Sequence, residues 1–227
     1  MHAYQMNIRL KTTSDGSHTL YVPGLDEHYH SVNGAVNESL TVFIRNGFEF
    51  CAANPVNILE IGLGTGLNAL LTLMRSTALQ KKVNYTAIEK FPLEADIIDS
   101  LNHASFAGSE GKSLSDLIHN ADWNRQVTLT ELFSLIKTEA DFTTAALPGY
   151  YDLVYFDAFG PDKQPEMWEE ELFRKIYLSM NDGGILVTYS VKGTVKRALK
   201  ACGFDLTLLP GPPGKREVLR AVKKKIK

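Results

Sequence analysis

A doubly wound α/β fold is predicted by three observations. Strand-like and helix-like segments alternate through the middle of the chain, one strand candidate runs straight into a glycine-rich turn, and the chain closes on an antiparallel hairpin. From Tyr4 to Val32, two alternating runs separated by Asp15-Gly16 predict a small N-terminal β element, part of a first unit of residues 1–33 able to act as a lid. Gly34 to Cys51 carries Val42, Phe43 and Phe50 near helical spacing and stops before Asn54-Pro55. This predicts a helix leading into a main domain of residues 34–227. Then come strand Val56–Ile61, helix Leu67–Ser76, strand Asn84–Ile88 and helix Phe91–Leu101, an order that implies a parallel sheet with right-handed crossovers. His103 to Asn124 reads as irregular or partly helical, and Phe133–Lys137 as a third strand. The unalternating apolar run Asp152–Phe156 reads as a buried fourth. Helix Glu169–Leu178, a turn at Gly183-Gly184, strand Ile185–Ser190 and helix Val195–Ala201 follow. Phe204–Leu209 and Glu217–Val222 then pair across Pro210 to Gly214, for seven strands in the main sheet.

The chain has 227 residues, 44% hydrophobic and 22% charged, enough for one large domain with a small appendage and too few for two catalytic domains. No apolar run approaches the ~20 residues that span a bilayer, so no membrane is expected. Met1 to Lys11 lacks the apolar core of a secretory signal, which makes a reducing cytoplasm the expected setting and Cys51 and Cys202 free thiols. The net charge is −2, but Lys192 to Lys227 holds 11 Lys and Arg against 2 acids. That segment is either a basic patch for phosphates or a solvated tail at Lys223, Lys224, Lys225 and Lys227.

Asn57-Ile-Leu-Glu-Ile-Gly-Leu-Gly-Thr-Gly-Leu-Asn68 joins a strand to three alternate glycines and a helix, which aims backbone N–H groups and a helix N-terminus at a ligand. Gly62, Gly64 and Gly66 follow G-x-G-x-G where dehydrogenases prefer G-x-G-x-x-G. With Thr65 and Asn68 they favour S-adenosylmethionine, another nucleotide or a structural turn remaining open. Glu60, just ahead of the loop, can accept bonds from the methionyl ammonium. Glu89, next to Lys90 at the end of the second strand, can bond ribose hydroxyls. Asp141 after the third strand can accept from an adenine amino group while Phe142 covers the ring, Glu139 being the competitor. Asp157 leaves the buried fourth strand into a loop rigidified by Pro161 and Pro165, a place suited to holding an amine nucleophile beside a sulfonium. Positive charge moves onto that nitrogen as the methyl transfers, so a fixed carboxylate favours the transition state. Asp26-Glu27-His28-Tyr29-His30 invites a metal reading, but it also fits a polar rim, and methyl transfer from a sulfonium needs no metal; none is expected.

These residues resemble the methyltransferase domain of the MnmC family and its stand-alone relatives. The resemblance runs through Tyr29-His-Ser31, Gly34, Glu38, the GLGTGLN loop, Glu89-Lys-Phe-Pro-Leu93, Asp157-Ala-Phe-Gly-Pro-Asp-Lys-Gln-Pro-Glu-Met-Trp168 and Gly214-Lys-Arg-Glu217. It implies a class I methyltransferase (Rossmann-like) fold and S-adenosylmethionine-dependent methylation of the aminomethyl nitrogen on wobble uridine in tRNA. It also implies that Asp157 and Phe159 face the uridine, with Tyr29, Ser31, Pro161 and Lys163 on the substrate side. Lys215 and Arg216, with Lys192, Lys196 and Arg197, are expected to reach anticodon phosphates, and the flipped base to stack on Phe159 or Tyr29. Bifunctional members carry a flavin-dependent oxidoreductase domain that this chain does not reach, so it is expected to perform only the last step, without an obligate protein partner. Transferases acting on another amine, including aminopropyl transferases, are the rival reading.

Overall fold

The computed structural model describes residues 7–147 and 149–224; Tyr4 at the head of the expected N-terminal element, and Lys225 and Lys227 of the tail, lie outside them. Strands β1 (Arg9–Thr12), β2 (His18–Val22) and β3 (Glu27–His28) form a small antiparallel sheet. Its first turn is made by Asp15, which accepts the Ser17 N–H at 3.0 Å and the Thr13 hydroxyl at 2.7 Å, and by Gly16 at φ 83°. The expected helix after Gly34 is present as α1 (Ala35–Ser39), continued by a π-helical stretch, Leu40–Phe48, that buries Val42, Phe43, Ile44 and Phe48.

The main sheet contains β4 (Val56–Ile61), β5 (Val83–Glu89), β6 (Gln126–Thr130), β7 (Phe133–Glu139), β8 (Tyr151–Phe156), β9 (Met180–Thr188), β10 (Phe204–Pro210) and β11 (Glu217–Lys223), in the spatial order β10-β11-β9-β8-β4-β5-β7-β6. It has eight strands, one more than the expected seven. The addition is β6, antiparallel to β7 at the sheet edge. Gly183-Gly184, expected to precede the fifth strand as a turn, lies inside β9, where the register with β8 shifts.

Between the strands run α2 (Leu67–Leu79), α3 (Ala95–Asp99), α4 (Gly111–Asn120), α5 (Glu170–Leu178) and α6 (Gly193–Ala201). α3 is shorter than the helix expected over Phe91–Leu101. The Phe91 N–H is taken by the Glu89 carboxylate at 2.8 Å, which commits the strand end to a turn, and Pro92 follows. No helix among the described residues is long and apolar enough to cross a membrane, and both cysteines are free and buried.

From β4 the chain moves outward to β5 and β7, then returns to β8 on the other side of β4 and continues to β9. Strand order therefore reverses between β4 and β8, and in open α/β sheets ligands bind outside the carboxyl ends of the strands at such a point. The pleat decides which residues meet there. Val56 and Ile58 pack into the core on the side of the π-helical stretch and α2, whereas Leu59 and Ile61 pack into the core with α5 and α6. Tyr155 on β8 belongs to the first side, so Asp157, two residues on, leaves the strand toward α1 and α2.

Candidate active site

A cavity of about 430 Å³ opens at the carboxyl ends of β4, β5 and β8, within the ~300–1,000 Å³ range of small-molecule sites. It is lined by Gly62, Leu63 and Gly64, by Ile88 to Phe91, by Ala140 to Phe142, and by Tyr29, Ser31, Glu38, Asp157, Phe159 and Lys215. The N-terminal sheet thus supplies a wall.

Beside the glycine turn Glu89 accepts the N–H groups of Gly64 at 3.0 Å and Phe91 at 2.8 Å. Burial raises its carboxyl above the usual range, and those backbone donors oppose the rise. Lys90 pairs with Asp141 at 2.6 Å. Against the cost of burial, that ammonium and Thr143 hold Asp141 down at about 2. Phe142 is buried beside them, its ring under the Lys175 ammonium at 4.6 Å.

At the carboxyl ends of β4 and β8 the Asn68 amide donates to both Glu60 Oε1 at 2.9 Å and Asp157 Oδ2 at 2.8 Å. Burial pushes the Asp157 carboxyl up to about 7, and the negative charge of Glu38 adds to the push; the Asn68 hydrogen bond and Lys215 pull the other way. Tyr29 and Phe159 meet edge to face, ring centroids 5.1 Å apart, and Trp168 fixes the loop by donating to the Phe159 carbonyl at 2.8 Å.

Several expected site residues stand elsewhere. Glu60 faces α2 rather than the cavity, because it shares the face of β4 with Ile58; its carboxyl is fully buried and burial raises it well above the carboxylate range. It supports Asn68 from behind and does not line the cavity. Thr65 and Gly66 also turn away. Thr65 bonds His30 Nε2 at 2.8 Å, and a Cβ on Gly66 would lie 2.8 Å from the His119 ring, so the third glycine admits α4 rather than a ligand. Lys163 lies at the rim, 3.5 Å from Asp26, and neither it nor Pro161 lines the cavity. Lys215 does not project toward solvent as a phosphate contact would: its ammonium bonds the Glu38 carboxylate and sits 4.0 Å from the Tyr189 ring centroid. Arg216, beside it, is exposed.

Glu38 and Tyr189 were not expected as site residues. Glu38 is among the residues that carry the resemblance and is the single acid in the otherwise apolar or neutral run Ala35 to Ile44, but neither signal gives it a role. The histidines of the Asp26 to His30 segment separate: His28 lies against Tyr21, ring centroids 4.8 Å apart, and His30 is buried behind the glycine turn near His103, at 5.8 Å.

Behind that turn, burial lowers His30 to about 3 and His119 to about 4, and lowers His103 as well. An unfolded chain protonates histidine near ~6.5, so the native state lags in proton uptake and loses stability as pH falls from about 6.5 toward 4. His119→Gln is therefore expected to change the pH dependence of the thermal midpoint, the variant losing less stability, or gaining more, than wild type as pH falls across this window. An unchanged pH slope in the variant would contradict this.

The cavity suits S-adenosylmethionine. Glycines at φ 89° and 50° keep the turn free of side chains, Glu89 has lone pairs left for a ribose diol, and the acidic groups that line the cavity favour a sulfonium cation. Residues 114–224 match a family of S-adenosyl-L-methionine-dependent methyltransferases. Solved structures with the same fold include MnmC2 from Aquifex aeolicus, with a TM-score of 0.80 and 24% identity over 97% of this chain and 71% of that one. Spermidine synthase from Thermotoga maritima gives a TM-score of 0.55 and 13% identity over 97% and 72%. Fold, cavity and family match define a class I S-adenosylmethionine-dependent methyltransferase.

Within that class, the tRNA 5-methylaminomethyl-2-thiouridine biosynthesis bifunctional protein MnmC of Magnetococcus marinus is 32% identical over 220 residues, 90% of this chain and 32% of that protein. The Leptospira interrogans protein of the same name is 29% identical over 207 residues, 86% of this chain and 32% of its own. The chain is similar to these curated relatives and spans about a third of their length.

Proposed function

We propose that the protein methylates the exocyclic nitrogen of an aminomethyl group at C5 of wobble uridine in tRNA, the final step toward the nucleoside named in its MnmC relatives. The observation that carries this reading is the Asp157 carboxylate, held by Asn68 in the same cavity that Glu89 lines. S-adenosylmethionine, when bound, supplies an electrophilic methyl group. Glu89 would hold the ribose, Phe142 and the Lys90–Asp141 pair would border the adenine, and Gly62 and Gly64 would let the backbone come close. Asp157 accepts a hydrogen bond from the substrate nitrogen, orients its lone pair and stabilises the positive charge that arrives there. Tyr29 and Phe159 offer ring faces to a base drawn out of the anticodon loop, and the N-terminal sheet serves as a lid.

Purified protein given labelled cofactor and tRNA with or without the aminomethyl group is expected to methylate only the former. Methyl incorporation into unmodified tRNA or a polyamine precursor would overturn the reading. A cytoplasmic setting follows from a tRNA substrate.

Phosphate binding falls to exposed cations. Arg197 in the first turns of α6 and Arg216 in the β10–β11 turn are exposed, while Lys192 at the same end of α6 pairs with Asp162. Arg197→Ala with Arg216→Ala is expected to weaken tRNA binding and reduce the slope of log K against log salt by about 1–2, as when two phosphates are no longer neutralised. An unchanged slope would assign both residues to the fold.

A further inference from the structure

The Glu38–Lys215 pair is out of place for a structural ion pair. Both groups line the cavity beside Asp157, with side-chain exposures of 7% and 29%. A contact that served only to tie the β10–β11 turn to α1 could be made at lower desolvation cost by apolar residues. Neither partner is saturated. The Glu38 carboxylate accepts the Ser31 N–H at 2.8 Å and the Lys215 ammonium, leaving lone pairs over; Lys215 spends one of three N–H donors on Glu38 and lays its charge over Tyr189. An acceptor and a donor therefore stand side by side on the cavity wall, near the aromatic pair of Tyr29 and Phe159.

We propose that Glu38 and Lys215 read the edge of the pyrimidine ring, Glu38 accepting the N3–H of uracil and Lys215 donating to a neighbouring carbonyl oxygen, so that the C5 substituent is presented to Asp157. This rests on the reading of an aminomethyluridine as substrate. A base edge offering a donor beside an acceptor is the complement of this pair, and each such contact supports about 10- to 100-fold discrimination. Glu38 and Lys215 are then specificity-determining residues of the cavity wall beside Asp157.

The test uses short anticodon stem-loop RNAs carrying either 5-aminomethyluridine or its N3-methylated form, with S-adenosylhomocysteine affinity measured by calorimetry in parallel. The wild type is expected to turn over the N3-methylated RNA with kcat/KM lower by about 10-fold or more. Glu38→Ala is expected to shrink that ratio toward one, and Lys215→Met to raise KM for the unblocked RNA, both with S-adenosylhomocysteine affinity within a few-fold. Loss of a merely structural tie would slow both RNAs alike and leave their ratio intact. A wild type that treats the two RNAs equally, or a folded Glu38→Ala that keeps the full ratio, overturns the inference while the functional reading stands. A wild type that methylates neither RNA overturns the functional reading and this inference with it. Equal turnover of the two RNAs by the wild type overturns the inference even if Glu38→Ala does not fold.

Discussion

Asp157→Asn is expected to lower turnover by about 10²-fold or more and to leave S-adenosylhomocysteine affinity within a few-fold, the scale of losing one transition-state contact. The substitution is nearly isosteric, and the new amide oxygen can still accept the 2.8 Å bond from Asn68, so the loop keeps its position. What is lost is the negative charge facing the nitrogen that becomes cationic. The same carboxyl sets two pH dependences. Its folded-state value of about 7 means that the rate falls as pH drops below neutrality and the acceptor becomes protonated. Stability moves the other way. The unfolded carboxyl titrates near ~3.9, so the native state takes up the proton first, and the burial penalty on the charge is relieved as pH falls from about 7 toward 4. Asp157→Asn removes that penalty at every pH. The variant is therefore expected to melt higher than wild type at pH 8 and to lose this advantage by pH 4. Near-normal turnover in the variant would remove Asp157 from the chemistry, and an equal melting difference at both pH values would show that its carboxyl is not held up by its surroundings.

The parts of this site written in the sequence are those that local pattern controls. The β4–turn–α2 unit is legible because an apolar run, alternate glycines and a helical stretch are contiguous, and the acids Glu89 and Asp157 are legible because each ends a buried strand. β6 is not, because Gln126–Thr130 is an edge strand, paired on one side, with no fully buried residue to betray it. Side-chain direction is harder still. Lys215 looks like a phosphate contact while its neighbours in sequence are Gly214 and Arg216, and it becomes a cavity residue only because Glu38, 177 positions away, offers a buried carboxylate. Glu60 was within reach of sequence reasoning: it alternates with Leu59 and Ile61 and so shares the face of Ile58, which α2 and the π-helical stretch cover.

Gly62→Ala is expected to cost about 2–5 kcal/mol and to abolish cofactor binding at micromolar concentrations. Two effects add. Gly62 sits at φ 89°, a region where a side chain costs about 1–2 kcal/mol. A Cβ there would also lie 2.8 Å from the backbone carbonyl oxygen of Asp157, and overpacking of this kind costs about 1–3 kcal/mol. The carbonyl cannot swing aside cheaply, because the Asp157 N–H is bonded to the Ile61 carbonyl at 3.0 Å and the Gly62 N–H to that of Ile88 at 2.9 Å. Relief must come from spreading β4 and β8 at the carboxyl ends where the cavity lies, which displaces Asp157 from Asn68. For a chain of this size the loss amounts to a fall of about 5–15 °C in thermal midpoint. Gly108→Ala supplies the control: at φ 71° it carries similar backbone strain, but a Cβ there meets nothing within 4 Å. It is expected to cost only the conformational part and to leave S-adenosylhomocysteine binding unchanged. Equal costs for the two variants would mean that the close approach of β4 to β8, rather than being what a glycine at 62 protects, is loose enough to admit a methyl group.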